Sequence, residues 1–426
     1  MGPMSSLPED PASGVPAATE VERTVPGTGS EPTFASLSVP NYRRFFLGQA
    51  VSLAGTWMQS VAMAWLVLQL TGSATWLGLN VALQTLPVLL LGPYAGVVVD
   101  RVDKRRLLVA TQLVSACLAL VLAVLTIDQR VTLGWVVLLS LMLGLVQAFD
   151  NPARQAFVRE MVPGRLVRNA VTLNSVVVNV ARAVGPAVGG VLIAWIGVGA
   201  CFAVNAASFL AVIAAYLLMD VDQLRTPEPV PQEKGQLRAG LVYVWRTPGL
   251  RVPLLMMGLV GTLTYEFQVS LPALVTGTFH DGATALGWVT AAMGVGAVVG
   301  GLATAGRRAT GTPVVTVAAA AFGVATLLLA VMPTVYAAGA ALLLVGAASI
   351  WFLSTGNATL QMTAEPQMRG RVMALWAVAF LGTTPVGGPL IGWVSQQAGA
   401  RFALALGGAA ALVAAAYGRW SSREPG

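Results

Sequence analysis

Charge is scarce in this chain. Only 10% of its 426 residues are Asp, Glu, Lys or Arg, while 56% are hydrophobic; a soluble globular domain carries about 25% charge. Histidine occurs once, as His280 beside Asp281, and cysteine twice, as Cys117 and Cys201, each within an apolar run. With no CxxC spacing and no cluster of His, Cys and acids, the chain shows no sign of a disulfide framework or a metal centre. No nucleophile–base pair stands out either, which argues against an enzyme, and no cofactor is implied. Lys104 and Lys234 are the only lysines among 25 basic residues, the arginine bias expected of a GC-rich bacterial genome. The first 33 residues have few large apolar side chains and are rich in Pro, Gly, Ser, Thr and Glu. Such a tail cannot bury enough surface to order itself. Without a basic segment followed by an apolar core, it is not a signal peptide.

What the chain has instead is long apolar runs. A membrane helix needs roughly twenty mostly apolar residues. Twelve such spans can be read, at about 45–70, 75–99, 107–127, 133–156, 170–195 and 199–219, then 250–275, 284–305, 313–332, 336–362, 372–396 and 401–418. This predicts an all-α membrane protein laid out as a cytoplasmic tail (1–36), a six-helix bundle (37–219), a central linker (220–248), a second bundle (249–420) and a short tail (421–426). The linker holds Pro227, Glu228, Pro229, Pro231, Glu233 and Lys234, and an amphipathic piece near Leu237–Trp245 is expected at the membrane surface.

The basic residues fall in every second gap. They mark Arg43 and Arg44, then Arg101 to Arg106, Arg154 to Arg168, Arg225 to Arg251, Arg307 and Arg308, Arg369 and Arg371, and Arg419 and Arg423. The alternate gaps Thr71–Thr75, Ile196–Ala200 and Met332–Tyr336 are bare; Arg130 and Arg401 alone fall in that set of loops. Positive charge is retained on the cytoplasmic side, so both termini are expected there, in a bacterial inner membrane. The isoelectric point of about 9.9 then calls for no nucleic acid, since the excess charge faces an anionic leaflet.

The two halves repeat. Asn151-Pro-Ala-Arg-Gln155 recurs in spacing as Asn357-Ala-Thr-Leu-Gln361, and Gly185-Pro186-Ala-Val-Gly189 as Gly388-Pro389-Leu-Ile-Gly392. Such internal symmetry is what two six-helix halves related by an axis along the membrane normal would carry.

Polar side chains inside spans are costly, so they face neighbours or a water-filled cavity. The first span carries Gln49, Ser52, Thr56 and Gln59 on one face; the fifth carries Thr172, Ser175, Asn179 and Arg182. The seventh offers Thr262, Glu266 and Ser270 with Tyr265 adjacent, and the tenth Ser354, Asn357 and Gln361. They read as the lining of a central passage, the alternative being interhelical hydrogen bonds alone. Arg182 and Glu266 are the only charges well inside spans. A carboxyl can escape the cost of burial by taking up a proton, whereas a guanidinium must find an acceptor, an anion or water. Glu266 therefore reads as a proton site and Arg182 as its counter-charge or a substrate anchor; alternatively, Arg182 clamps backbone carbonyls beside Gly185-Pro186. The run Gly185, Pro186, Gly189 and Gly190 reads as a helix hinge, because an interior proline removes a backbone bond.

The stretch from Gly96 through Asp100, Arg101, Asp103, Lys104, Arg105 and Arg106 resembles the loop signature of the major facilitator superfamily, Gly-x-x-x-Asp-Arg-x-Gly-Arg-Lys, with Asp103 at the usual glycine. Further runs look like its enterobactin-exporter-like, or transmembrane secretion effector, branch. They are Asn41-Tyr-Arg-Arg-Phe-Phe46, Gly55-Thr-Trp-Met-Gln59, Ala64-Trp-Leu-Val-Leu68, Leu70-Thr-Gly-Ser73, Pro152-Ala-Arg-Gln-Ala156, Ala181-Arg-Ala-Val-Gly-Pro186 and Arg369-Gly-Arg-Val372. The resemblance covers about residues 37–420.

It implies a cytoplasmic gate of Gly96, Asp100, Arg101, Lys104, Arg105, Arg106, Asp150 and Arg154. Asp100 would meet the start of the eleventh helix near Arg371–Met373, and Arg101 or Arg105 would pair with Asp150, a latch that holds the two halves together on the inner side when the cavity opens outward. A left-handed turn is expected at Asp103. The second copy of the motif has Ala305 where Asp would stand, the fourth span lacks the embedded Arg of many proton-driven members, and Ala181 and Thr172 replace usual glycines of the antiporter signature. The expected function is secondary active export of a small hydrophobic or amphipathic molecule (drug, secondary metabolite or siderophore) by alternating access, with protons and the lipid bilayer as partners, by a monomer. The alternatives are an uptake carrier, or a receptor or scaffold with the same fold.

Overall fold

The computed structural model describes residues 2, 32–225, 236–305 and 309–422. Met1 and residues 3–31 of the expected disordered tail, the linker segment bearing Lys234, Arg307–Arg308 and the last four residues lie outside them. The end of that tail is instead ordered, with Ser36 buried and its N–H and hydroxyl donating to Asn169 Oδ1. Fifteen α-helices follow in order: α1 (Pro40–Thr71), α2 (Ala74–Arg101), α3 (Lys104–Ile127), α4 (Leu133–Met161), α5 (Val167–Ile196), α6 (Val198–Leu217), α7 (Gln236–Arg246), α8 (Pro248–Leu263), α9 (Phe267–Gly277), α10 (Ala283–Ala305), α11 (Thr312–Ala330), α12 (Val335–Thr363), α13 (Arg369–Leu381), α14 (Thr384–Ala398) and α15 (Ala400–Ser421). Among the described residues there is no strand, and twelve segments are long and apolar enough to cross a membrane. The seventh and eleventh are interrupted: α8 and α9 share one span, as do α13 and α14.

The spans end where local chemistry stops them. Ser73 and Asp103 accept the backbone N–H of Trp76 and Arg106 and so start α2 and α3, satisfying amide groups that a helix start leaves open. Asp103 is extended (φ −62°); the expected left-handed turn is absent because the residue serves as a helix N-cap. Gly197 (φ 85°) and Gly399 (φ 90°) are each the single residue joining two spans, α5 to α6 and α14 to α15. Only glycine takes that conformation without strain, and the two occupy equivalent places in the two halves.

In the first half α1 packs on α5 and α6, α3 on α6, and α2 on α4; in the second, α10 packs on α12, and α11 on α12 and α15. The halves join mainly through α5 against α10 and α2 against α14, pairs that exchange under the internal repeat. The expected amphipathic piece is α7. It lies on the basic-loop end of the second half, where Tyr243 Oη accepts the Glu365 N–H (3.2 Å) and Gly240 lies against Arg371. Its Leu241, Val242 and Trp245 are exposed.

Candidate functional site

One face of α5 defines the state of the molecule. Pro186 and Gly190 on that face are buried, whereas Thr172 and Ser175, about three to four turns earlier on the same face, are exposed. The seal at the neutral-loop end is made of small residues. A Cβ on Gly287 would lie 2.6 Å from the Pro186 carbonyl oxygen and 2.7 Å from Gly190 Cα, and one on Gly294 would lie 2.6 Å from Ala183 Cα. Across the other joint, Gly78 lies against the Gly388 carbonyl and Gly392 against that of Ala74, whose N–H donates to Gln396 Oε1 (2.8 Å). Small residues let membrane helices approach this closely. The space between the halves is thus closed at the neutral-loop end and open at the basic-loop end.

At the run Gly185–Gly190, where a hinge is expected, α5 continues as a helix through Pro186. Its glycines divide two packing jobs. Gly185 and Gly189 face Ala54, Trp57 and Met58 of α1, while Gly190, with Pro186, faces α10. The interruptions fall instead at Thr264–Glu266 and Gly382–Thr383.

A cavity of about 210 Å³ lies among α1, α2, α4 and α9. Its polar lining is Thr56, Gln59, Ser60, Asn80, Gln84, Gln147 and Gln268, with Trp57, Leu77 and Leu143 among the apolar walls. Gln59 Oε1 accepts from Asn205 Nδ2 (2.6 Å). Asn80 is 3% exposed, and its Oδ1 has no partner.

Of the expected lining, Thr56 and Gln59 reach this cavity. Gln49 and Ser52 do not, being buried where the packed first half covers α1. Ser175 Oγ and Asn179 Nδ2 donate to the α5 carbonyls of Val171 and Ser175, and Gln361 Nε2 donates to Asn357 Oδ1 on α12. These residues face the open side rather than the cavity. Thr262 is half-buried, its hydroxyl donating to Gly258. Tyr265 is a packing residue: its hydroxyl donates to the Ser349 carbonyl (2.7 Å), and its ring lies between Phe322 and Phe380. Sequence reasoning missed Asn80, Gln84, Gln147 and Gln268. The four-residue spacing of Asn80 and Gln84 was a usable signal, whereas Gln268 reaches the cavity only because the helix breaks two residues before it.

Glu266 occupies that break. It is 4% exposed and caps the start of α9, its backbone carbonyl accepting from the Val269 and Ser270 N–H groups and from the Ser270 hydroxyl. Its carboxylate lies against Thr384 and the glycine backbone of Gly387 and Gly388, and Oε1 has no hydrogen-bond partner. The positive end of the α9 dipole suits an acid there. Both interruptions of the second half therefore meet at one buried carboxyl.

Arg182 neither pairs with Glu266 nor clamps backbone carbonyls. Its guanidinium stacks over the Trp57 ring at 4.9 Å, its Nε lacks a partner, and it lies within electrostatic reach of Tyr265 across the halves. Stacking on an aromatic face gives a buried guanidinium about 0.5–2 kcal/mol.

At the basic-loop end the expected pairing of Arg101 or Arg105 with Asp150 is replaced by another network. Arg105 donates to the Tyr216 and Leu217 carbonyls (2.7 and 3.1 Å) at the C-terminus of α6, where the last carbonyls lack their regular helical partners. Asp150 accepts from Thr111 and Gln112 (2.8 Å each), with Arg154 at 3.9 Å. The ion pair joining α3 to α4 is Lys104–Glu160 (2.8 Å), largely buried. Gly96 faces open space; Asp100, Arg101 and Arg106 are exposed.

Comparison with known proteins bears on this arrangement. A family model described as a transmembrane secretion effector matches residues 31–423. The multidrug efflux pump Tap of Mycolicibacterium fortuitum is 32% identical over 367 residues, 81% of this chain and 87% of that protein. The staphyloferrin A transporter of Staphylococcus aureus is 27% identical over 185 residues, 43% of this chain and 47% of that protein. Among solved structures, a bacterial homologue of the human lysosomal transporter Spinster, in an inward-facing conformation, superposes with a TM-score of 0.70 at 14% identity, covering 93% of this chain and 98% of that one.

Proposed function

Because this chain belongs to the transmembrane secretion effector family of major facilitator transporters, a multi-pass bacterial membrane protein carrying small molecules and not an enzyme, we propose that it exports its substrate by proton-coupled alternating access. The reading takes the basic-loop end, and with it both termini, as cytoplasmic. The protein then stands open to the cytoplasm, ready to load. The observation that carries this is the single face of α5, sealed at Pro186 and Gly190 and open at Thr172 and Ser175.

Coupling is assigned to Glu266, the one buried carboxyl among the described residues that lies beside both helix interruptions. With an unpartnered oxygen and a helix start at its side, its protonation state is tied to how α8–α9 sits against α13–α14. A proton taken up from outside and released inside would give the cycle its direction. The efflux pump Tap among the relatives supports export, and the staphyloferrin A transporter supports a small-molecule cargo.

The test uses everted membrane vesicles carrying the full chain and a panel of fluorescent dyes. Uptake into vesicles acidified inside, abolished when the gradient is collapsed, supports export by proton antiport. Uptake into right-side-out vesicles instead would make the protein an importer, and movement in neither would return it to a receptor or scaffold role.

A further inference from the structure

The cavity holds more hydrogen-bonding capacity than the protein uses. The side-chain amides of Asn80, Gln84, Gln147 and Gln268 converge on it from three helices, and none has a hydrogen-bond partner in the protein. A carboxamide carries two donors and an acceptor, and leaving it unpaired in an apolar surrounding is unfavourable. Two amides outside this set are paired, Asn205 with Gln59 and Asn41 with the Asp220 backbone, and a buried packing amide that also leaves its oxygen unpartnered, Gln49, stands alone rather than in a converging group. The unpaired set is therefore solvated when empty, ready to trade water for a ligand's polar groups. Asn80 is the clearest member, at 3% exposure with its Oδ1 unpartnered at the cavity wall.

Equally telling is the sign of the lining. Among the described residues that line the cavity there is no Asp, Glu, Lys or Arg. A permanent cation entering would lose hydration and gain no counter-charge. The volume of about 210 Å³ falls below that of a pocket enclosing a whole drug-sized molecule, about 300–1,000 Å³. It suits one polar end of a substrate whose remainder lies toward the open side.

We propose that this cavity is the recognition subsite for an uncharged, hydroxyl- and amide-bearing group, bound by the carboxamides of Asn80, Gln84, Gln147 and Gln268. The inference rests on the transporter reading and narrows its substrate class from hydrophobic compounds in general to neutral molecules rich in hydrogen-bonding groups. It excludes lipophilic cations as preferred cargo. A site built to hydrogen-bond its ligand rejects analogues that lack those groups far more strongly than an apolar pocket can.

The test is equilibrium binding to the purified full chain in lipid nanodiscs. Two probes are used: radiolabelled chloramphenicol, uncharged with an amide and hydroxyls, and tetraphenylphosphonium, a lipophilic cation. Chloramphenicol should bind. Gln84→Leu and Gln147→Leu should each weaken it about two- to tenfold, the usual worth of one hydrogen bond, and tetraphenylphosphonium should not compete. Where a leucine variant elutes as aggregate, the near-isosteric Gln84→Glu decides, and it should create tetraphenylphosphonium binding. Tighter binding of the cation to the wild type, absent chloramphenicol binding, or chloramphenicol binding indifferent to the variants would each overturn the subsite. Gradient-driven chloramphenicol uptake by everted vesicles is measured alongside. Binding without uptake removes export and keeps the subsite, whereas uptake indifferent to the variants does the reverse.

Discussion

The two halves share one plan and differ in where they are broken. Helices α1 and α5 run uninterrupted, while their counterparts under the repeat, α8–α9 and α13–α14, are each split. Each half also buries one charge at this joint, but of opposite kind. On the first side Arg182, three residues before Gly185, lies on Trp57 of α1. On the second, Thr384, four residues before Gly388, lies beside Glu266 at the α8–α9 break. A guanidinium keeps its charge at every working pH and holds its ring partner in place. A carboxyl can change state, and it sits where two interruptions leave the backbone room to respond. The first half therefore reads as the fixed wall that supplies most of the amides, and the second as the half that couples.

The largest effect should come from the basic-loop end of the first half, which the Lys104–Glu160 pair ties together. Lys104→Met leaves Glu160 buried without its cation, and breaking one side of such a pair costs about 3–5 kcal/mol. The detergent-solubilised variant should melt well below the wild type in a fluorescence size-exclusion assay, with Lys104→Met/Glu160→Leu recovering most of the loss. A shift no larger than a surface pair's, about 0–1 kcal/mol, would show that the first half is not held together there.

The shared joint comes next. Gly287→Leu places atoms where Pro186 and Gly190 backbone now stand. Overpacking of this kind costs about 1–3 kcal/mol and should fall on the conformation closed at the neutral-loop end. A cysteine at Thr284 should become more reactive to a membrane-impermeant maleimide from that side, and transport should fall. Unchanged labelling would mean that the seam does not hold the closed state. Smaller still is Arg182→Lys, which keeps the charge and loses the planar stacking on Trp57. With about 0.5–2 kcal/mol at stake, transport should drop by roughly 2- to 30-fold with its proton dependence intact. Wild-type rates would remove the stacking contact from the account.

Much of this was legible in the residues. Twelve apolar runs and alternating basic loops specify the spans, and the Gly185-Pro186 and Gly388-Pro389 repeat marks the surfaces where the halves meet. The breaks were not legible. Thr264-Tyr265-Glu266 contains neither glycine nor proline, yet the helix stops there. Pro186 sits in a helix that does not stop, because α1 and α10 press on it from two sides. Tertiary packing overrode local preference in both places. The second break left a trace, Gly382 followed by Pro385 at the start of α14, the usual order of a helix end and a new beginning. At the basic-loop end the motif did not give the partners that Arg105 and Asp150 take here. Arg105 serves the α6 carbonyls and Lys104 takes the acid, a choice fixed by which helix end lies within reach.

The most direct test of the division between a fixed half and a coupling half compares Glu266→Gln with Arg182→Gln in everted vesicles, following dye uptake with and without an imposed proton gradient. Glu266→Gln keeps shape and hydrogen-bonding capacity while removing the titrating group. Dye binding should survive and the response to the gradient should vanish, whereas Arg182→Gln should lower uptake and leave the gradient response in place. Gradient-driven uptake at the wild-type rate in Glu266→Gln would contradict the account, taking proton coupling away from the broken helices of the second half.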